Sequence, residues 1–205
     1  GQERETHGIA FLNDQGEVHK TPAGTLIEDL DTLPFPARDL YDYDAFRAAG
    51  GWEFGIMSSR GCPFRCTFCQ PTLNMIFGRM RKRGPENVAE EMAQLQEQYA
   101  PAILYFKDDT LSANGLDWFA RFQKALDDRG VCQRWKCNTR VDKVGPRILD
   151  AMAAAGCEEV VFGVESGSQR ILDFYQKDIA VEDTIKAFEL CKERGIRAGA
   201  NVILG

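Results

Sequence analysis

No stretch of this 205-residue chain approaches the roughly 20 consecutive apolar residues that cross a bilayer, and its N-terminus lacks the charged-then-apolar pattern of a secretion signal. A cytoplasmic protein is therefore expected, without a membrane span. Positive charge is not in excess: the formal net charge is −6, so no overall attraction draws the chain to nucleic acid or anionic lipid. Histidine is scarce, with only His7 and His19. No Gly-x-Gly-x-x-Gly phosphate loop is present, which argues against a dinucleotide-binding fold. Seven cysteines are an odd number, and three fall between positions 62 and 69. That pattern favours metal binding in a reducing compartment over a disulfide framework.

A hydrophobic content of 44% suffices for one sizeable core and a small appendage. Residues 1–50 differ from the rest. Gly8 to Leu12 and Glu17 to Thr21 flank the turn residues Asn13 to Gly16, which predicts a hairpin. The stretch Leu33, Pro34, Phe35, Pro36, Ala37, Arg38 reads as an extended linker, because its prolines disfavour helix. The main domain is expected over 51–205. The start at Gly1 and the stop at Gly205, just after the apolar run Val202 to Leu204, lead to the expectation of further sequence on both sides.

From Gly55 onward, short apolar runs alternate with amphipathic helices, the signature of parallel βα units. Strands are predicted near Gly55 to Ser59, Ala102 to Phe106, Arg134 to Asn138, Glu159 to Val164 and Ile196 to Leu204. Helices are predicted at Pro85 to Tyr99, Gly115 to Asp128, from Pro146 to a stop at Gly156, and at Val181 to Arg194. Ile148, Leu149 and Met152 are expected to face inward on the third helix, and Val181, Ile185 and Phe188 on the fourth. Five βα units without a phosphate loop predict an α/β fold of the partial, TIM-like barrel type, whose chemistry collects at the C-terminal strand ends.

Directly after the first strand comes Arg60, Gly61, Cys62, Pro63, Phe64, Arg65, Cys66, Thr67, Phe68, Cys69. Thiolates spaced by three and then two residues can wrap one face of a compact metal centre, and thiolates are the usual ligands of iron–sulfur clusters. Three ligands for a [4Fe-4S] cluster leave one iron open, the mark of a catalytic rather than a closed structural site. A zinc site would need a fourth ligand, yet both histidines lie far back in the appended segment. A ferredoxin-like carrier would need a fourth nearby cysteine, where the chain has Gln70, Pro71 and Thr72.

Cys-x3-Cys-x2-Cys, with an aromatic residue before the last cysteine and placed after strand one of a partial barrel, resembles the radical SAM superfamily. Leu33 to Leu40 (LPFPARDL), Phe106 to Thr110 (FKDDT), Asn138 to Asp142 (NTRVD) and Phe162 to Ser168 (FGVESGS) resemble its cobalamin-associated branch. The resemblance covers residues 33 to 205. It implies a [4Fe-4S] cluster on Cys62, Cys66 and Cys69 that cleaves S-adenosylmethionine (SAM) to a 5′-deoxyadenosyl radical, which then takes hydrogen from a small-molecule substrate. It also implies a flavodoxin or ferredoxin electron donor, and a cobalamin-binding domain preceding the linker. That domain's Asp-x-His-x-x-Gly motif is not in this chain, so cobalamin is an expectation about a missing part. With cobalamin, methylation of an unactivated carbon is the leading outcome. A methylthiotransferase shares the cysteine loop and stands as the alternative within the superfamily. A rival of another class is a non-catalytic module with zinc on the cysteines and RNA on Arg79, Arg81, Lys82 and Arg83. A solvated charged face is the simpler reading of that basic run.

The resemblance places SAM contacts at the strand ends. Asp108 and Asp109 follow strand two, where the SAM amino end is held, although Asp109 also suits the turn into the next helix. Glu165 and Ser166 end strand four beside the ribose and methionine portions, while Ser166 with Gln169 also fits a capping box. Phe68, Asn201 and Ile203 are expected near the adenine. Arg140, after strand three, has the planar fork to hold a carboxylate of SAM or substrate, or else to pair with Asp142 at the surface. Cys132, Cys137, Cys157 and Cys191 have no ligand spacing and are expected to be small buried hydrophobes.

Overall fold

The computed structural model describes residues 5–50, 53–69 and 78–204. An antiparallel hairpin opens it, β1 (Ala10–Leu12) pairing with β2 (Val18–Lys20). The Asn13 Oδ1 accepts from the backbone N–H groups of Gln15 and Glu17, the local bonding that makes asparagine a turn former. The linker runs extended between single 3-10 turns at Leu30–Thr32 and Arg38–Leu40. A short helix not foreseen from the pattern, α1 (Tyr43–Ala48), follows and is capped by Asp42, whose side chain accepts from the Ala45 N–H at 2.8 Å.

The main body is a five-stranded parallel sheet: β3 (Glu53–Ile56), β6 (Ile103–Phe106), β7 (Trp135–Arg140), β8 (Cys157–Glu165) and β9 (Arg197–Val202). Their order in the sheet is the order in the chain. A doubly wound sheet would reverse direction at a switch point, so this continuous progression is that of an arc of barrel. Between the strands lie α2 (Pro85–Tyr99), α3 (Leu116–Arg129), α4 (Pro146–Ala154), α5 (Gln169–Phe174) and α6 (Val181–Glu193). Among the described residues no helix is long and apolar enough to cross a membrane.

Strand alternation separates two faces. Phe54, Phe106, Trp135 and Phe162 are buried against the helices, in ring contact with Tyr99 on α2, Phe122 on α3 and Phe188 on α6. Burial of each such side chain contributes about 1.5–3 kcal/mol. The concave face is polar instead, with Gly55, Tyr105, Lys136, Glu159 and Arg197 in register across the five strands. Tyr105 donates its hydroxyl to Asn138 at 2.8 Å on that face.

Several expectations are corrected. The segment predicted as one strand over Gly55 to Ser59 splits: β3 ends at Ile56, and Ser59–Arg60 forms a separate strand, β4, paired antiparallel with β5 (Arg81–Lys82). Ile185 is exposed, because α6 turns Ala187 and Cys191 inward, and Ile148 on α4 packs against the core but is only partly buried. Cys132 is exposed, in the turn before β7, whereas Cys137, Cys157 and Cys191 are buried. The basic run is only in part a solvated face. Arg81 is buried and donates to the Ile27 carbonyl, Lys82 donates to the carbonyls of Ala113 and Asn114, and Arg83 meets Glu91 at 2.5 Å. Arg38 of the linker takes the other oxygen of Glu91 at 2.6 Å, so one buried carboxylate ties linker and basic segment to α2. Arg81 and Arg83 are thus drawn into the fold, while Lys82 and Arg79 stay exposed, Arg79 in a pair with Glu28 at 2.7 Å.

Candidate active site

The cysteine loop springs from the β4–β5 pair, at the C-terminal end of β3. Gly61 turns the chain into it with a φ of 87°, and a Cβ there would stand 3.3 Å from the Arg79 carbonyl oxygen. A single 3-10 turn, Thr67–Cys69, carries the last cysteine, with the Cys69 N–H donating to the Cys66 carbonyl at 3.1 Å. The loop docks on the segment after α5: the Thr67 N–H donates to the Tyr175 carbonyl at 2.9 Å, and Phe68 lies edge-on to Tyr175. Positions 70–72, where a fourth cysteine is lacking, lie outside the described residues.

Cys62 and Cys66 are partly buried and Cys69 is exposed. The Cys69 thiol is pushed above its ordinary pKa by burial of its sulfur, then by the neighbouring Cys62 and Cys66 and by Asp109, while Lys177 acts in the opposite direction. Three thiols, a carboxylate and an ammonium therefore share one electrostatic neighbourhood. Among the described residues no three His, Cys, Asp or Glu gather closely enough to hold a single metal ion. The thiolates of a multi-iron cluster stand further apart, because each binds its own iron.

Asp108 and Asp109 part company. Asp108 is buried beneath the loop and accepts from the Ser58 N–H, the Ser58 hydroxyl at 2.7 Å and the Ser59 hydroxyl at 2.5 Å. Burial raises its pKa against those donors. Its carboxylate thus anchors the base of the loop, and Asp109 is the exposed carboxylate at the end of β6. Thr110 brings its hydroxyl within 3.7 Å of the Cys62 sulfur.

Arg140 is the last residue of β7 and 5% exposed. Its Nε donates to Asp142 at 2.8 Å, one terminal nitrogen to the Lys177 carbonyl at 2.6 Å, and the other to the Cys66 sulfur at 3.3 Å. The guanidinium also lies over the Phe64 ring at 4.0 Å. The pair with Asp142 exists, but it is buried rather than on the surface. Burial alone would raise the Asp142 pKa, and the bonds from Arg140 and Lys143 hold it below the ordinary value.

Glu165 closes β8 in a left-handed backbone, φ 62°, with its side chain paired to Lys177 at 2.8 Å. Gln176 and Asp178, on either side of Lys177, also have positive φ. Such conformations cost non-glycine residues about 1–3 kcal/mol each and gather at sites where geometry matters. Gly163 makes room for the pair: a Cβ there would stand 2.6 Å from the Glu165 Oε1 and 2.8 Å from the Lys177 Nζ. Lys177 also lies 5.4 Å from the centre of the Phe68 ring. Sequence reasoning missed Lys177, because it lies 12 positions beyond Glu165 in an irregular turn. The available signal was a lone lysine just after the helix that follows FGVESGS.

The capping box expected of Ser166 and Gln169 does not form. Ser168 occupies the N-cap of α5, Ser166 accepts from the Ser168 N–H, and Gln169 bonds Asp173, Ile179 and Val181. On β9, Asn201 stands opposite Gly163 on the concave face, and the Ile203 N–H donates to the Glu165 carbonyl at 3.0 Å. The structure thus brings Phe68, Asp109, Glu165 and Lys177 around the thiols, with Asn201 and Ile203 across the strand ends and Arg140 behind Cys66. A separate cavity of about 330 Å³ opens between the linker and the end of β3, lined by Leu33, Phe35, Met57 and Lys107.

Fold and site together define an α/β partial barrel with a three-cysteine loop at the catalytic ends of its strands. The chain belongs to the radical SAM superfamily, which it matches over residues 56–205. It is 36% identical, over 98% of its own length, to the uncharacterized methyltransferase PH0819 of Pyrococcus horikoshii, and 26% identical, again over 98%, to the cytidylyl-2-hydroxyethylphosphonate methyltransferase of Streptomyces wedmorensis. It spans 44% and 43% of the length of these two relatives. Its fold is shared with the cobalamin-dependent S-adenosylmethionine radical enzyme OxsB, solved with aqua-cobalamin and S-adenosylmethionine bound. That likeness has a TM-score of 0.78 at 22% identity and covers 96% of this chain and 29% of OxsB.

Proposed function

We propose that this chain is the cluster-bearing part of a radical SAM enzyme, in which Cys62, Cys66 and Cys69 hold a [4Fe-4S] cluster whose open iron takes SAM. The observation that carries the reading is the meeting of three thiols from one loop with Asp109, Glu165 and Lys177 at the ends of parallel strands. The donor set fits the cluster: soft thiolates suit iron, and a cationic centre offsets the burial and the repulsion between thiolates that together lift the Cys69 pKa. When bound, cluster and SAM supply one-electron cleavage of the sulfonium and thereby a radical that takes hydrogen from substrate carbon.

The chain's own residues bind and orient. Lys177 is the cation available for the SAM carboxylate, Asp109 and Glu165 are acceptors for its ammonium and ribose hydroxyls, and Phe68 offers a ring face near the adenine. Ser166, Asn201 and Ile203 complete the rim from β8 and β9. Asp108 serves from below by holding Ser58 and Ser59 where the loop begins. The polar concave face, open beneath this rim, receives the substrate. Methylation with the help of cobalamin, bound outside this chain, is the reaction best supported by the methyltransferase relatives, and a small flavin or iron–sulfur protein supplies the electron.

The test is anaerobic reconstitution with iron and sulfide, reduction, and electron paramagnetic resonance with and without SAM, using Cys66→Ala as control. A cluster signal that changes on adding SAM and disappears in the variant supports the assignment. Stoichiometric zinc with no sulfide, or a cluster signal indifferent to SAM, would sink it.

A further inference from the structure

The three loop sulfurs are not equivalent. Cys62 meets a hydroxyl, that of Thr110, whose proton is also drawn to the Asp109 carbonyl at 2.8 Å. Cys69 shares its surroundings with Asp109 and Lys177. Among the described residues, Cys66 alone of the three accepts a bond from a buried guanidinium, at 3.3 Å from Arg140. That guanidinium is held in place by the Asp142 carboxylate, the Lys177 carbonyl and the Phe64 ring. A cation so buried is little screened by salt, and its planar fork is fixed before anything binds.

We propose that Arg140 is a positioning residue for the cluster: it orients the Cys66 sulfur and raises the reduction potential by donating to it. This rests on the cluster assignment above. The electrostatic reason is that reduction adds one negative charge to the cluster and its thiolates, so an N–H donor from a cation stabilises the reduced form more than the oxidised one. Hydrogen bonds to the sulfurs are among the determinants of such potentials, and outer partners of metal ligands tune the centre they surround. Arg140 also joins the two halves of the site, since the carbonyl that it grips belongs to Lys177, the partner of Glu165. The guanidinium therefore works through Cys66 and Lys177 and needs no contact with SAM.

The experiment is a redox titration of the reconstituted protein, followed by electron paramagnetic resonance, alongside iron and sulfide counts. Wild type is compared with Arg140→Met, Arg140→Lys and Phe64→Leu. Arg140→Met is expected to keep its iron but to show a reduced-to-oxidised ratio about tenfold lower at the wild-type midpoint, a downward shift of about 59 mV for a one-electron couple. Arg140→Lys should shift less, because an ammonium keeps the charge but cannot reach all three partners. Phe64→Leu, which leaves the arginine and removes only the ring beneath it, should move the potential slightly the same way and provides the reading if Arg140→Met does not fold. An unchanged or raised potential at full iron content overturns the role of Arg140 and leaves the cluster assignment standing. Failure of the wild type to take up iron and sulfide overturns both.

Discussion

The loop thiols and the core thiols carry the same side chain into opposite circumstances. Cys62, Cys66 and Cys69 sit at the C-terminal strand ends, partly open to solvent and beside a hydroxyl, a guanidinium and an ammonium. Cys137, Cys157 and Cys191 lie on the helix-covered side of the same sheet. Burial pushes the Cys137 thiol well above its ordinary value, with a bond to Cys157 adding to the effect, and pushes Cys191 up to about 11. Thiolates bind metal and thiols in apolar surroundings do not, so position relative to the sheet separates the cysteines proposed as ligands from those that serve as packing. Cys132, exposed in the turn before β7, belongs to neither set.

The sharpest way to break this division is to count iron and sulfide in two sets of variants. Alanine at any one of Cys62, Cys66 or Cys69 should abolish the assembled cluster, whereas combined replacement of Cys137, Cys157 and Cys191 should leave iron per folded chain unchanged. Loss of iron from the second set in protein that remains folded would erase the distinction. Next in size is stability: Cys137→Ala should lower the unfolding free energy by about 1–3 kcal/mol in a urea titration of the cluster-free protein, because the 0%-exposed site cannot fully collapse. Cys132→Ala, at an exposed site, should stay within about 0.5 kcal/mol in the same assay.

The smallest effect concerns pH. The folded-state pKa of Cys191 is raised from an ordinary value near 9 to about 11, so the unfolded chain loses this proton more readily. The stability associated with the neutral thiol is complete below the unfolded value and is lost as pH rises through the folded one. Wild type should therefore lose stability faster than Cys191→Ala between about pH 9 and pH 11, as read from unfolding midpoints across that range. Parallel curves for the two proteins would refute the shift.

Much of the barrel was legible because its signals are local. The apolar spacing of Val88, Met92 and Leu95, with Pro85 in the first turn, specifies α2, and Gly130 ends α3 in the left-handed conformation expected of a C-cap. The hairpin likewise follows from Asn13 and Gly16. The misses share a different cause. Ser59–Arg60 pairs with a segment beyond the cysteine loop, so no window of neighbouring residues reveals that it leaves the main sheet. Arg81 and Arg83 look solvated until folding brings the Ile27 carbonyl to one and Glu91 of α2 to the other. Asp108 and Asp109 cannot be told apart from composition, and only burial against Ser58 and Ser59 makes one part of the scaffold and leaves the other exposed near the thiols.

Taken alone, the order of residues determined the sequence of strands and helices and the proposed ligand set, since a three-cysteine loop and a helical repeat are written in adjacent positions. Tertiary structure decided what surrounds the three loop thiols. Arg140 reaches Cys66 across 74 positions and Lys177 across 37, and Lys177 reaches Glu165 across 12. Those contacts exist only after the parallel strands have aligned their C-terminal ends. The physical reason is that backbone patterns are set by neighbours along the chain, whereas the field around a thiolate is set by groups that folding brings together.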